Sequence, residues 1–149
     1  MALRIYLDTS VVSAYFDDRY PERQKDTVTF WKLSDEHEFS ISELTRSEIQ
    51  NTQDENRKNQ MLNHIGNLAS VPINNSVEHL ANLYLDNSIF SPATLNDALH
   101  VAAATISRQD ILVSWNFRHL VNRYRRAKVN EVNILHGYPT IEIIAPPEV

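Results

Sequence analysis

Residues 4–16 read RIYLDTSVVSAYF and set an aspartate between two apolar runs. Ile5, Tyr6 and Leu7 precede Asp8, and Val11, Val12, Ala14, Tyr15 and Phe16 follow it. Short apolar runs on both sides of a polar triplet read as a buried strand handing over to a buried helix. A carboxylate at that junction must be capped, paired or bound to a cation, because an unpartnered buried charge is costly. Ser10 is available as the helix cap, which frees Asp8 for another partner.

The alternation continues along the chain. Strand character covers 3–7 and returns at Phe39–Ser42, at Val71–Ile73, where Pro72 marks an edge or an end, at Ile111–Ser114 and at Ile141–Ile144. Helices are expected from Ser10 to about Phe16 and from Pro21, a favoured first-turn residue, to about Glu36. A long polar helix is expected from Thr45 to Ile65 or Leu68, ended by Gly66. Another runs from Asn75 or Ser76 to about Leu85, and a short one from Phe117 to about Tyr124. Between them ATLNDALHVAAATIS (93–107) is small or apolar nearly all round and reads as a central buried helix. Strands alternating with helices predict a single domain over 1–149, a three-layer α/β/α fold with a mainly parallel sheet.

Composition narrows the chemistry. The 149 residues contain no cysteine, which excludes disulfides, a thiolate nucleophile and cysteine zinc sites. Two glycines, Gly66 and Gly137, are too few and too far apart for a GxGxxG or P-loop phosphate cradle. No apolar run reaches the roughly 18 residues of a membrane span, and no signal-peptide pattern opens the chain, so a cytoplasmic location is expected. The net charge is −5 but unevenly spread. Residues 1–107 carry 8 Lys and Arg against 15 Asp and Glu, whereas Arg108, Arg118, Arg123, Arg125, Arg126 and Lys128 face only Asp110 within 108–128. That segment is either a solvated helix face or a track for phosphates.

In parallel α/β sheets the ligand site lies beyond the carboxyl ends of the strands. Asp8 follows the first strand directly, Glu48 lies a few residues past the second, and Ser114 and Asn116 end the fourth. Asp97 opens the buried helix that leads into it. Gathered carboxylates repel one another, so their assembly points to a hard divalent cation, Mg²⁺ or Mn²⁺. The competing reading is helix capping: Thr45-x-x-Glu48 and Thr94-x-x-Asp97 both match a capping box, and Asp8 can close an Asx turn. Glu43 is a secondary acid candidate. Asp17, Asp18, Glu36 and Glu38 read as solvent charges, His100 as a packed, hydrogen-bonded core residue, and Trp31 and Trp115 as core or interface. His119 and His136 have no second ligand at a metal spacing.

YLDTSVVSAYF, ISELTRSEI, NDALHVAAATIS and ILVSWNFRHLVN, in this order, resemble the PIN-domain nucleases and, within them, the VapC-like toxins of toxin–antitoxin pairs. The tail VNILHGYPTIEIIAPPEV looks like one branch of that family. The resemblance covers nearly the whole chain and implies a metal-dependent endoribonuclease with Asp8, Glu48 and Asp97 as ligands of Mg²⁺ or Mn²⁺. Asn116 stands where the family's fourth acid falls, a departure that leaves open whether one metal or two are bound and whether catalysis is retained. Ser10 and Ser114 would position the acids or a water. Arg118, Arg123, Arg125, Arg126 and Lys128 would hold flanking RNA phosphates. The resemblance also implies a homodimer and an antitoxin protein as inhibitor.

Three other readings compete, one of them a purely structural or scaffolding domain, against which the gathered acids speak. A degenerate module of the same fold would bind RNA or a protein without cutting. A haloacid-dehalogenase-type phosphatase also places Asp after its first strand, but it uses Asp-x-Asp, and position 10 here is Ser.

Overall fold

The computed structural model describes residues 1–149. Strands β1 (Arg4–Leu7), β2 (Glu38–Ser42), β3 (Ala69–Val71), β4 (Ile111–Val113) and β5 (Glu142–Ile144) form one sheet in the order β3-β2-β1-β4-β5. Every neighbouring pair is parallel. The helices are α1 (Thr9–Ala14), α2 (Pro21–Trp31), α3 (Glu43–Gln50), α4 (Glu55–Ile65), α5 (Asn75–Asp86), α6 (Leu95–Ile106) and α7 (Arg123–Leu135).

Right-handed crossovers dictate the layers. The chain steps outward from β1 through β2 to β3, which puts α1–α4 on one face. It then returns past β1 to β4 and β5, which puts α5–α7 on the other. The helix contacts agree: α1 packs with α2, α3 and α4, and α5 packs with α6 and α7. With both faces covered, β1 is apolar throughout its interior and Ile5, Tyr6 and Leu7 are fully buried. The order of travel reverses between β1 and β4, and the crevice beyond their carboxyl ends is where a doubly wound sheet places its ligand.

Local chemistry moves several expected boundaries. Asp8, not Ser10, is the N-cap of α1: its Oδ1 accepts the Ser10 N–H at 3.1 Å. The expected helix over 45–65 is two helices, because Asp54 starts α4 by accepting the Arg57 N–H at 3.0 Å. A 3-10 turn over Lys32–Asp35 ends the α2 region. The third strand is Ala69–Val71, before Pro72 rather than across it. Residues 117–122 form turns instead of a helix. Asn116 Oδ1 accepts the His119 N–H at 2.9 Å, and Asn122 Oδ1 accepts the Arg125 N–H at 2.9 Å, so the helix starts only at Arg123 and runs to Leu135.

Candidate active site

The residues that close the β1–β4 crevice are Asp8, Ser10 and Ser114. Asp8 is 5% exposed. Its Oδ1 accepts the Ser10 hydroxyl at 2.5 Å and its Oδ2 accepts the Ser114 hydroxyl at 2.8 Å. Each serine oxygen in turn accepts a backbone N–H, Trp115 on Ser10 and Asn116 on Ser114, both at 2.9 Å. The hydroxyl protons are thereby aimed at Asp8, and every hydrogen bond at its carboxyl is donated to it. Such a shell fits an ionised carboxylate. Burial nevertheless pushes the Asp8 pKa above the usual carboxylate range, against the pull of His100 and the two serines. Asp97 adds repulsion.

Asp97 stands in the first turn of α6. Its carboxyl is pushed up first by burial, while His100, His119 and Arg125 draw it down and Glu48 repels it. The capping-box reading fails for both pairs. Ser42 caps α3, accepting the Thr45 N–H at 3.4 Å, while Thr45 is buried. Thr94 makes no side-chain cap on α6. Neither Glu48 nor Asp97 closes a helix start.

Glu48 turns toward His100 instead. Its Oε1 receives His100 Nε2 at 2.7 Å and the Thr9 hydroxyl at 2.6 Å, and Asn96 Nδ2 lies 3.4 Å from Oε2. Burial raises its pKa, but these contacts outweigh it and hold the carboxyl below its ordinary value. His100 is 3% exposed, and its Nδ1 meets the Tyr6 hydroxyl at 2.7 Å. Tyr6 gives its own proton to Ser42 at 2.7 Å. A carboxylate on one side and a phenol oxygen on the other suit an imidazole protonated on both ring nitrogens. Burial disfavours that charge, yet Tyr6, Glu48 and Asp8 overcome it and push the His100 pKa up to about 10.

The structure thus brings Asp8, Asp97 and Glu48 into one electrostatic neighbourhood around a buried imidazolium. No three acid or histidine side chains stand close enough to share one ion. The donor set still fits a hard cation: Asp8 and Asp97 are carboxylates that repel each other, and Mg²⁺ is commonly held by one or two carboxylates, with water and substrate phosphate completing its shell. Asn116 lies beside Asp97 and shapes the turn that follows β4. Its oxygen is taken by His119 N–H, and its Nδ2 lies 3.4 Å from Asp97 Oδ1.

No protein-family model matches the sequence, and no curated protein matches it. Solved structures do. VapBC2 from Rickettsia felis, bound to a DNA fragment from the promoter, superposes with a TM-score of 0.56 at 12% identity, over 95% of this chain and 98% of that one. VapBC-5 from Mycobacterium tuberculosis, a member of the VapBC family of toxin–antitoxin systems, gives 0.52 at 15% identity, over 94% and 96%. The chain has a PIN-like fold. At these identities the shared property is the architecture.

On this PIN-like frame some expected residues separate. Arg125 lies with its guanidinium 4.7 Å from the Phe90 ring centre and donates to the His119 carbonyl at 3.1 Å. Arg126 donates to the Ile143 carbonyl at 3.3 Å, against β5. Lys128 pairs loosely with Glu131 at 3.6 Å. Arg118 and Arg123 are exposed. Glu43 accepts the Ile73 N–H at 3.2 Å and ties down the segment after β3. His100, expected as a core residue, is buried and hydrogen-bonded, and it also clamps Glu48. Its partner is 52 positions away, a pairing no local pattern signals. His119, whose Nδ1 is buried without a partner, faces Asp97 electrostatically. No helix is long and apolar enough to cross a membrane.

Proposed function

We propose that this chain is a Mg²⁺- or Mn²⁺-dependent endoribonuclease of the VapC-like kind, the toxin of a toxin–antitoxin pair. The observation that carries the reading is the placement of Asp8 at the end of β1 and of Asp97 in the first turn of α6, two carboxylates pushed up by burial, with Asp97 close enough to repel Asp8, at the switch point of a PIN-like sheet. They are the residues that would hold the cation. Bound there, it supplies acidification of water and neutralisation of phosphate charge for in-line hydrolysis. Asp8 is held in place by Ser10 and Ser114. Glu48 stays ionised beside His100, where it can orient a water or the ribose edge of the substrate. Arg118 and Arg123 sit exposed past the site and suit flanking phosphates. An antitoxin that offered an arginine or lysine to the acids would inhibit by charge. Ile134 and Leu135, 66% and 75% exposed on α7, give a second copy of the chain an apolar face.

A second reading, RNA or protein binding without cleavage, draws on the engagement of Glu48 by His100 and on the amide at position 116. The two are separated by incubating the purified chain with mixed single-stranded RNA and tRNA in Mg²⁺, Mn²⁺ or EDTA. The nuclease reading expects cuts in either metal and none in EDTA. Intact RNA under every metal, with RNA still bound, would move the assignment to the binding module.

A further inference from the structure

On the α2 side of Asp8 lies a group of side chains that includes neither the three acids nor any of the basic residues of segment 108–128. A cleft of about 470 Å³ is lined by Arg19, Tyr20, Glu22, Arg23, Asp26 and Trp115. It adjoins a recess of about 90 Å³ whose wall is Ser10, Ser13 and Asp17. Ser10 is the residue that donates to Asp8 and accepts the Trp115 N–H, so one hydrogen-bonded step separates this cleft from the site.

Two arginines of the cleft lie against aromatic rings. The Arg23 guanidinium carbon lies 4.9 Å from the Trp115 ring centre and 5.8 Å from that of Tyr20. Arg19 lies 5.7 Å from the Tyr20 centre and is fixed by two hydrogen bonds to Asp17 at 2.9 Å. Trp115 is locked by its Nε1–H on Thr27 at 2.8 Å. Arg23 takes part in none of the ion pairs of the chain. Its charge rests on ring faces, which leaves guanidinium donors and a flat surface for a ligand. Tyr20 is 56% exposed, so much of its ring is open to a ligand.

Flat aromatic and guanidinium faces that present a π-surface are how proteins hold unstacked bases of single-stranded RNA. Glu22 and Asp26 on the same wall oppose a phosphate but accept N–H donors from a base edge. We propose that this cleft seats one nucleobase of single-stranded RNA, stacked on Tyr20 and Arg23, next to the bond that the acids address. The proposal rests on the ribonuclease reading and adds to it a base-binding subsite on the side opposite α7. The RNA would cross the site with a base on the α2 side and phosphates toward Arg118 and Arg123.

The test is binding of fluorescein-labelled single-stranded RNA oligonucleotides in EDTA, read by anisotropy, for wild type, Tyr20→Ala, Tyr20→Phe and Arg23→Ala. Both positions are exposed, so the variants keep the fold, which circular dichroism checks. Tyr20→Ala and Arg23→Ala are each expected to weaken binding about tenfold, with Tyr20→Phe close to wild type. Tyr20→Ala should leave the salt slope unchanged, because no phosphate contact is lost. Replacing single nucleotides by abasic units should reveal one position that costs wild type about tenfold and costs Tyr20→Ala almost nothing. Wild type that binds and cuts RNA while both alanine variants bind equally well would overturn the subsite and leave the nuclease reading standing. Abasic losses identical in wild type and Tyr20→Ala would do the same. Wild type that neither binds nor cuts any RNA would overturn both.

Discussion

Glu48 Oε1 and His100 Nε2 stand 2.7 Å apart, joining α3 to α6 beneath the carboxyl edge of the sheet. The pair ties the acid of one face to the buried helix of the other. The far side of the imidazolium is closed by the Tyr6 hydroxyl. Removing one member of a buried pair leaves the other charged without a partner, at a cost of roughly 3–5 kcal/mol when burial is complete. The Glu48 side chain is 30% exposed, so the low end applies. His100→Ala is expected to lower the urea unfolding free energy by about 3 kcal/mol, with His100→Gln losing less.

The same pair sets a pH dependence. The folded-state pKa of His100 is raised from 6.5 to about 10. The folded chain therefore binds this proton more tightly than the unfolded chain. The stability it contributes is full below pH 6.5 and is lost as pH rises toward 10. Urea midpoints measured from pH 6.5 to 10 should fall for wild type and stay nearly flat for His100→Gln. Parallel profiles for the two proteins would remove the imidazolium from the account.

Asp97 is costly to the fold when no cation is present, since burial raises its pKa. Asp97→Asn removes that charge and is expected to raise Tm by about 2–3 °C in EDTA. Mn²⁺ should raise the Tm of wild type and not that of the variant, because a ligand stabilises only the state that binds it. Differential scanning calorimetry with and without Mn²⁺ checks both statements.

On the face of α5–α7, away from the acids, Tyr84 donates to Asn133 Oδ1 at 2.6 Å, and Asn133 Nδ2 reaches the Pro139 carbonyl at 3.2 Å. Both residues are fully buried. Tyr84→Phe strands a buried acceptor and should cost about 1–3 kcal/mol, measured by chemical unfolding, with RNA cleavage at the wild-type rate below the unfolding transition.

The basic segment divides by geometry. Arg118 and Arg123 are exposed, whereas Arg126 is engaged with the Ile143 carbonyl. Arg118→Ala and Arg123→Ala are each expected to reduce the slope of log K against log salt by about 0.7 for single-stranded RNA. Arg126→Ala should leave that slope unchanged. Titrations from low to moderate salt read all three.

What the sequence made legible follows from range. The run into Asp8 announced β1 and α1 because apolar residues and a polar triplet are local signals. A mainly parallel sheet follows from the alternation of strands and helices, and every pair in the structure is parallel. The break at Asn51–Asp54 was hidden because no glycine or proline marks it and the interruption rests on one Asp54 cap. Helix α7 leaves little signal in the sequence because its buried face is sparse: Val129, Val132 and a polar Asn133. Residue type alone does not separate Asp8 from Ser10 as the cap of α1, since both are good caps. In the structure the Ser10 hydroxyl points at Asp8 instead. The clamp of Glu48 by His100 and the placement of Tyr20 and Arg23 beside Trp115 join residues far apart in the chain, and only the fold reveals them.

The most direct test of the central claim is cleavage of one defined single-stranded RNA across a Mn²⁺ titration, by wild type, Asp8→Asn and Asp97→Asn in parallel. The account predicts a saturable Mn²⁺ dependence for wild type, abolished by EDTA. It predicts a loss of at least about a hundredfold in both variants, with circular dichroism showing them folded. Variants that cut as fast as wild type at saturating Mn²⁺ would contradict the assignment of Asp8 and Asp97 as the pair that holds the cation.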